Sequence, residues 1–151
     1  MATYIENAML ECISRHYLIQ YGSAPDKTVA IVGEKKVRIE KGSFPWQLIK
    51  ETGLTKKNVT VFTDRKKFKA EYAKDFDLLV GVRPCDGETE ILNGAARYKK
   101  KFILMPCNCG RVVIKIPALV RKHLVIKNVE AIPGRYNDGT YASTAWMILY
   151  N

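Results

Sequence analysis

The chain has 151 residues, enough to bury a core of its own, and its 47% hydrophobic content excludes a wholly disordered protein. No run reaches the roughly 18 apolar residues that span a membrane, and the four cysteines do not form a secreted disulfide pattern. The net charge of +10 at pH 7 favours contact with polyanions or a strongly solvated surface. Since the N-terminus also lacks a basic-then-apolar signal pattern, we expect one cytoplasmic domain, residues 1–151, without a membrane partner.

The first part of the chain contains a predicted helix, two short β-rich runs and a second helix. Residues 4–21 carry apolar side chains at helical spacing, which predicts an amphipathic opening helix. The β-rich runs are residues 28–33 and 35–40, and they form either a tight hairpin or one interrupted strand. A helix follows, with Pro45 in its first turn and Gly53 at its end.

Beyond this helix, strands alternate with helices. In chain order the pattern predicts a strand at 58–64, a short basic helix or loop at 65–75, a strand at 76–82, a helix at 87–101, a strand at 102–107, a helical turn at 117–123 and two C-terminal strands at 124–132 and 140–150. This alternation predicts an α/β fold with a mostly parallel sheet, helices on both faces and a C-terminal antiparallel hairpin.

The order of segments resembles the Rossmann-like fold of class I S-adenosylmethionine-dependent methyltransferases. The C-terminal pair of strands stands where that family places its last two strands, and residues 77–109, "DLLVGVRPCDGETEILNGAARYKKKFILMPCNC", are similar to a stretch of some members. There a hydrophobic strand ends in a short Pro/Asp loop, a helix follows, and the next strand ends in Pro-Cys. The resemblance implies a small methyltransferase-like protein in which the family's third strand, between Asp64 and Asp77, is shortened or missing.

The resemblance also implies an S-adenosylmethionine site at one edge of the sheet. Glu40 and Gly42 match the acid and the first glycine of the family's cofactor loop, where a glycine lets the backbone approach the ligand. Asp64, about 20 residues after Gly42, matches the acid that meets ribose hydroxyls. The loop after the fourth family strand supplies the remaining candidates, which are Arg83 and Pro84 for cofactor binding and Arg83, Cys85 and Asp86 for catalysis.

Each assignment has a structural alternative. Glu40 and Gly42 also suit a strand end and a plain turn, and both Asp64 and Asp86 also suit helix N-caps. The predicted cofactor loop has a single glycine, Gly42, and Phe44 stands where the family prefers a small residue. The alternative function is therefore a non-catalytic basic binding or scaffolding module that kept the fold and lost the cofactor.

Three cysteines follow neighbouring predicted strands and could gather at the same sheet edge. Cys85 follows one strand, and Cys107 and Cys109 follow the next. With a fourth ligand such as Asp86 or His123 they would suit zinc. The spacing "CNC" is not the usual C-x₂-C knuckle, and buried free cysteine is common, so the sequence favours a protein without a metal site.

The positive charge is concentrated in three clusters. A clustered excess of this kind favours RNA or another anionic substrate, although a solvated surface is the alternative, and no cluster forms a recognisable nucleic-acid motif. The clusters are Lys35, Lys36, Arg38 and Lys41; Arg65, Lys66, Lys67 and Lys69; and Arg97, Lys99, Lys100 and Lys101.

Overall fold

The computed structural model describes residues 10, 14–15, 17–18, 26–33, 41, 43–82, 84, 87–105, 126–132 and 144–149. Within this part of the chain the strands are β1 (Val29–Gly33), β2 (Val59–Phe62), β3 (Leu78–Val82), β4 (Lys101–Met105), β5 (Ile126–Ile132) and β6 (Thr144–Leu149). The described helices are α1 (Phe44–Thr52), α2 (Gly87–Tyr98) and two short 3₁₀ helices, Lys56–Asn58 and Ala70–Asp75.

The strands form one six-stranded sheet in the order β2-β1-β3-β4-β6-β5. The first four strands in this order are parallel to one another. β6 pairs antiparallel with both β4 and β5. The run β1–α1–β2 crosses the sheet in one direction and β3–α2–β4 in the other, so right-handed connections place α1 and α2 on opposite faces. The predicted α/β class with a mostly parallel sheet is confirmed.

The centre of the sheet is apolar on both faces. β1 and β3 are buried along their whole length, as expected of parallel strands covered on both sides. Because side chains alternate along a strand, Ala30, Leu79 and Phe102 lie side by side on one face. On that face a single core cluster joins the sheet to α2 and the 3₁₀ helix, and it also contains Val32, Phe62, Phe68, Ala73, Ile91, Leu92, Ala95 and Leu104.

Helix α1 is held at both ends by local chemistry. At its start the Ser43 hydroxyl accepts a hydrogen bond from the Trp46 N–H at 3.3 Å, and Pro45 occupies the first turn. At its end Gly53 adopts a left-handed conformation with φ of 76° and donates its N–H to the Ile49 carbonyl at 3.1 Å. The helix predicted from Pro45 and Gly53 is therefore confirmed.

Helix α2 is shorter than the predicted helix at 87–101. It ends at Tyr98 because Lys99 adopts a left-handed conformation with φ of 53°, and Lys100 turns its N–H back to the Ala95 carbonyl at 3.0 Å. Lys101 already belongs to β4, which starts one residue earlier than the predicted strand at 102–107. The run of lysines suited a helix C-terminus by charge, and the backbone turn ends the helix before the run is complete.

The segment between β2 and β3 contains no strand, and residues 63–77 are all described. Instead the 3₁₀ helix Ala70–Asp75 packs against α2, where a Cβ built on Gly94 would lie 2.7 Å from Ala73 Cβ and 2.9 Å from the Ala70 carbonyl oxygen. The Glu90 carboxylate accepts the Ala70 N–H at 2.7 Å and caps the 3₁₀ helix. The strand that the resemblance implied to be shortened or missing is therefore absent between β2 and β3, and β2 lies at an edge of the described sheet.

The amino ends of β1 and β3 are joined by a side-chain clamp. The Asp77 carboxylate accepts the Thr28 N–H at 2.9 Å and the Thr28 hydroxyl at 3.2 Å. Buried Tyr17 belongs to the N-terminal helical residues, and its pKa is raised by burial and then by the negative charges of Asp26 and Asp77. The hydrogen bonds between Thr28 and Asp77 hold the start of β1 against the start of β3.

The N-terminal helical residues agree with the amphipathic prediction where they are described. Leu10, Ser14 and Tyr17 are helical and buried at i, i+4 and i+7, while Arg15 and Leu18 are exposed. The bounds of the helix predicted at 4–21 lie outside the described residues, as do the second β-rich run at 35–40 and the helical turn at 117–123. The single-domain organisation stays a prediction. No helix among the described residues is long and apolar enough to cross a membrane.

Candidate functional site

The parallel strands end together at one edge of the sheet. In the pairing register Phe62 lies opposite Val32, and the last residues of β1, β3 and β4 (Gly33, Val82 and Met105) lie in one row. The chain leaves β1 toward β2 and leaves β3 toward β4, so the connections diverge between β1 and β3. Such a divergence opens a crevice beyond the carboxyl ends of the strands, which is where open α/β sheets bind ligands.

Most residues predicted for the site follow these strand ends in sequence but lie outside the described residues. They are Glu40, Gly42, Arg83, Cys85, Asp86, Cys107 and Cys109, so their roles remain predictions. The central strand β1 ends at Gly33, well before Glu40, which shows that the first of the two β-rich runs takes the central place. Among the described residues no group of His, Cys, Asp or Glu could hold a metal ion.

Asp64 lies just past the end of β2 in a tight turn. The Thr63 N–H donates to the Lys66 carbonyl at 3.0 Å, and the Arg65 N–H donates to the Thr63 hydroxyl at 3.3 Å. The Asp64 side chain is exposed and makes no hydrogen bond or ion pair with any described residue. The next helix begins only at Ala70, with Lys69 as its N-cap, so the helix-cap alternative for Asp64 is wrong.

Asp64 borders an open depression of about 670 Å³, which we call the β2 groove. It lies between the end of β2 and the 3₁₀ helix, and its walls combine aromatic, basic and acidic side chains. The lining residues are Phe62, Asp64, Arg65, Lys66, Lys67, Lys69, Tyr72, Asp75 and Phe76. This composition gives one place where a planar ring and an anion could both be bound.

Phe62 is the centre of the aromatic wall. Its ring centroid lies 5.2 Å from that of Phe68 and 5.8 Å from that of Phe76, both edge to face, and 6.0 Å from that of Tyr72 in a stacked arrangement. The ammonium group of Lys66 lies 5.2 Å from the centroid of the Phe62 ring. Phe62 and Phe68 are buried, whereas 40% of Tyr72 is exposed.

The basic side chains of the groove are not neutralised within the described structure. Arg65, Lys66, Lys67 and Lys69 are all exposed, and none forms an ion pair with a described residue. The groove also contains two acids, Asp64 and Asp75, so its lining carries a net positive charge. An anionic ligand would therefore be attracted to this part of the surface.

Sequence reasoning found the basic cluster of this groove but missed its aromatic wall. Phe62, Tyr72 and Phe76 are separated along the chain, and they meet because the 3₁₀ helix folds back against the end of β2. The sequence does contain a sign of this wall, because basic and aromatic residues are interleaved in "FTDRKKFKAEYAKDF", residues 62–76.

Pro84 is the other described residue of the predicted site, and it is buried. A Cβ built on Gly81 would lie 3.4 Å from Pro84 Cγ, and one built on Gly87 would lie 3.1 Å from Pro84 Cβ and 2.9 Å from Val32 Cγ1. The two glycines thus allow the start of α2 to lie close to the ends of β1 and β3. The Pro84 carbonyl also accepts the Gly87 N–H at 2.9 Å, so Pro84 helps to form the start of α2.

No family model matches the chain, and no curated protein is similar to it in sequence. Among solved structures, a crystal structure of precorrin-6y C5,15-methyltransferase from Geobacter metallireducens GS-15 is similar over 92% of this chain and 87% of that chain, with 11% identity and a TM-score of 0.49. The Rossmann-like assignment rests on the strand order and pairing.

Proposed function

We propose that the protein is a small S-adenosylmethionine-dependent methyltransferase-like protein that holds the cofactor along the carboxyl ends of β1, β2 and β3. The observation that carries the proposal is Asp64, an exposed carboxylate beside the β2 groove with no partner among the described residues. It follows the strand next to the central strand β1, which is where a Rossmann-like fold uses an acid to hold a ribose.

The residues present fit the nucleoside part of the cofactor. Asp64 offers two carboxylate oxygens, which accept hydrogen bonds from a ribose diol. The aromatic wall of the β2 groove offers the half-buried ring of Phe76 as apolar surface for a purine ring.

When bound, S-adenosylmethionine supplies an electrophilic methyl group. The protein's part is to position the methyl acceptor beyond the end of β3, about two strand spacings or 10 Å from the end of β2. Arg83, Cys85 and Asp86 follow β3 directly in the sequence and are the proposed groups for this task.

The charge of the groove supports an anionic acceptor such as RNA. The sulfonium of the cofactor is itself a cation, so the four basic side chains of the groove, which form no ion pair with a described residue, do not help to bind it. They would instead attract an anionic acceptor to the same edge of the sheet.

The test is a calorimetric titration of the protein with S-adenosylmethionine and with S-adenosylhomocysteine. We expect micromolar binding, and we expect Asp64→Asn to weaken it at least about tenfold, because the carboxylate loses charged hydrogen bonds to the ribose. Asp75→Asn is the matched control, since it removes an exposed acid from the same groove without touching the strand end. Absence of binding at millimolar ligand would contradict the proposal.

A second function, a basic binding module without cofactor, is favoured by the packing at the ends of β1 and β3. Pro84 is buried, and Gly87 lies against Val32, so protein atoms occupy part of the space next to the crevice. RNA binding without any binding of S-adenosylmethionine would select this second function.

A further inference from the structure

We propose that the β2 groove binds single-stranded nucleic acid, with one base stacked on Tyr72 and the flanking phosphates held by Arg65, Lys66, Lys67 and Lys69. The inference deepens the proposed function by naming single-stranded nucleic acid as the ligand bound at the same edge of the sheet. It rests on the proposed function only where this ligand is taken to be the methyl acceptor. The binding itself requires no cofactor.

The charge of the groove is arranged for a chain of phosphates. Its basic side chains are nearly consecutive in sequence and exposed, and none of them is neutralised by a carboxylate in the described structure. All four side chains border one depression. Binding of a polyanion there would release counterions from several phosphates at once.

Tyr72 provides the stacking surface. It is 40% exposed, whereas Phe62 and Phe68 behind it are 4% and 3% exposed. The Tyr72 ring is stacked on the Phe62 ring with an angle of 25° between their planes, and it meets the Phe68 ring edge to face at 6.3 Å. An aromatic side chain that is held in place before binding stacks on a base at little cost in side-chain entropy.

The backbone beneath Tyr72 is also fixed. The Tyr72 N–H donates to the Lys69 carbonyl at 2.9 Å, and the preceding turn is capped by Glu90 from α2 through the Ala70 N–H. The Tyr72 ring is therefore carried by a fixed 3₁₀ turn whose N-cap residue is Lys69.

The combination favours a single strand over a duplex. Bases in a duplex are stacked on each other, and a protein ring at the surface reaches a base face only when the base is unstacked. Aromatic platforms beside cationic tracks are the usual means of holding single strands with little sequence preference.

The experiment measures fluorescence anisotropy of a labelled single strand of roughly 12 nucleotides, as RNA and as DNA, without cofactor and over a range of salt concentrations. We compare Lys66→Gln/Lys67→Gln with Lys56→Gln/Lys57→Gln, an equally exposed lysine pair at the other end of β2. We expect the groove pair to lose at least about tenfold in affinity and to reduce the slope of log affinity against log salt by about 1.4, while the control pair changes little. Equal losses in both pairs would overturn the proposal.

Tyr72 is tested by two substitutions. Tyr72→Leu keeps an apolar side chain but removes the ring, and we expect it to weaken binding about tenfold, whereas Tyr72→Phe retains wild-type affinity. Circular dichroism and melting temperature control for folding of both variants. Wild-type binding by Tyr72→Leu would overturn the inference.

Comparison of the RNA strand with the DNA strand shows which of the two nucleic acids the groove binds more tightly. The matching duplex is expected to bind more weakly than either strand. Failure of the proposed function is separately visible. Titration of Lys66→Gln/Lys67→Gln with S-adenosylmethionine reports the cofactor site alone, because the ribose acid Asp64 is unchanged in that variant.

Discussion

β2 and β3 both pair in parallel with β1, one on each side, yet they differ in burial and in the residues that follow them. β3 is buried along its whole length, whereas β2 is buried only at its first and last residues and lies at the edge of the described sheet. Past β3 the chain packs Pro84 into the core, and past β2 it exposes Asp64 and the basic side chains. Residues around β3 are therefore expected to determine stability, and residues after β2 to determine binding.

The largest effect on stability is expected at the centre of β3. Leu79 is fully buried in the core cluster, so Leu79→Ala removes apolar contacts and leaves a cavity. We expect a loss of about 3 kcal/mol in the free energy of unfolding, measured by urea titration. Leu18→Ala, the same change at a leucine that is 42% exposed, is expected to cost less than about 0.5 kcal/mol. Similar losses at both sites would show that β3 is not the centre of the core.

A smaller loss is expected where α2 meets the 3₁₀ helix. Gly94→Ala would place a Cβ 2.9 Å from the Ala70 carbonyl oxygen and 2.7 Å from Ala73 Cβ, so the two elements must separate. We expect a cost of about 2 kcal/mol by thermal or urea unfolding. Asn93→Ala, at a half-buried neighbour on the same helix, is the control, and we expect it to leave stability nearly unchanged.

These packing sites differ in how far the sequence reveals them. β3 was predicted because "LLVGV" is apolar throughout, a local pattern that a strand buried on both faces requires. Helix α1 was predicted because Pro45 and Gly53 act on the backbone next to them. The contact between Gly94 and the 3₁₀ helix joins residues that are distant in the chain, and no local pattern announces it.

The same limit applies to the candidate site. Asp64 could be found because its spacing from Gly42 and its place after a strand are sequence properties. The stacking of Tyr72 on Phe62 could not be derived from the sequence, because it requires the 3₁₀ helix to fold back against the end of β2. Sequence therefore predicted the charge of the groove without its aromatic wall.

The clamp at the amino ends of β1 and β3 is expected to contribute less than the core. Asp77→Ala leaves the Thr28 N–H without its carboxylate acceptor, at a cost of about 1 to 2 kcal/mol in unfolding free energy. Asp75→Ala is the matched control, because its carboxylate is exposed and its hydrogen bond from the Thr28 hydroxyl uses the backbone carbonyl. An equal cost for both changes would mean that the clamp adds nothing to stability.

A pH-dependent effect is expected at Tyr17. Its pKa is raised above the ordinary value of 10.0, first by burial and then by Asp26 and Asp77, so the folded protein favours the protonated phenol. This contribution is fully present below pH 10 and is lost as the pH rises through the higher folded pKa. Tyr17→Phe should therefore show a shallower loss of stability above pH 10 than the wild type, measured by urea unfolding at several pH values. A Tyr17→Phe variant with the wild-type slope would contradict this expectation.

The smallest effect on stability is expected after β2, and it completes the comparison. Asp64→Asn removes a carboxylate that forms no hydrogen bond or ion pair with a described residue, so the free energy of unfolding without ligand should change by less than about 0.5 kcal/mol. The same variant should lose cofactor affinity, and this separation of binding from stability is what a ligand-holding residue on an edge strand requires. A large loss of stability would instead give Asp64 a structural role. β2 and β3 would then differ in burial but not in their roles in binding and stability.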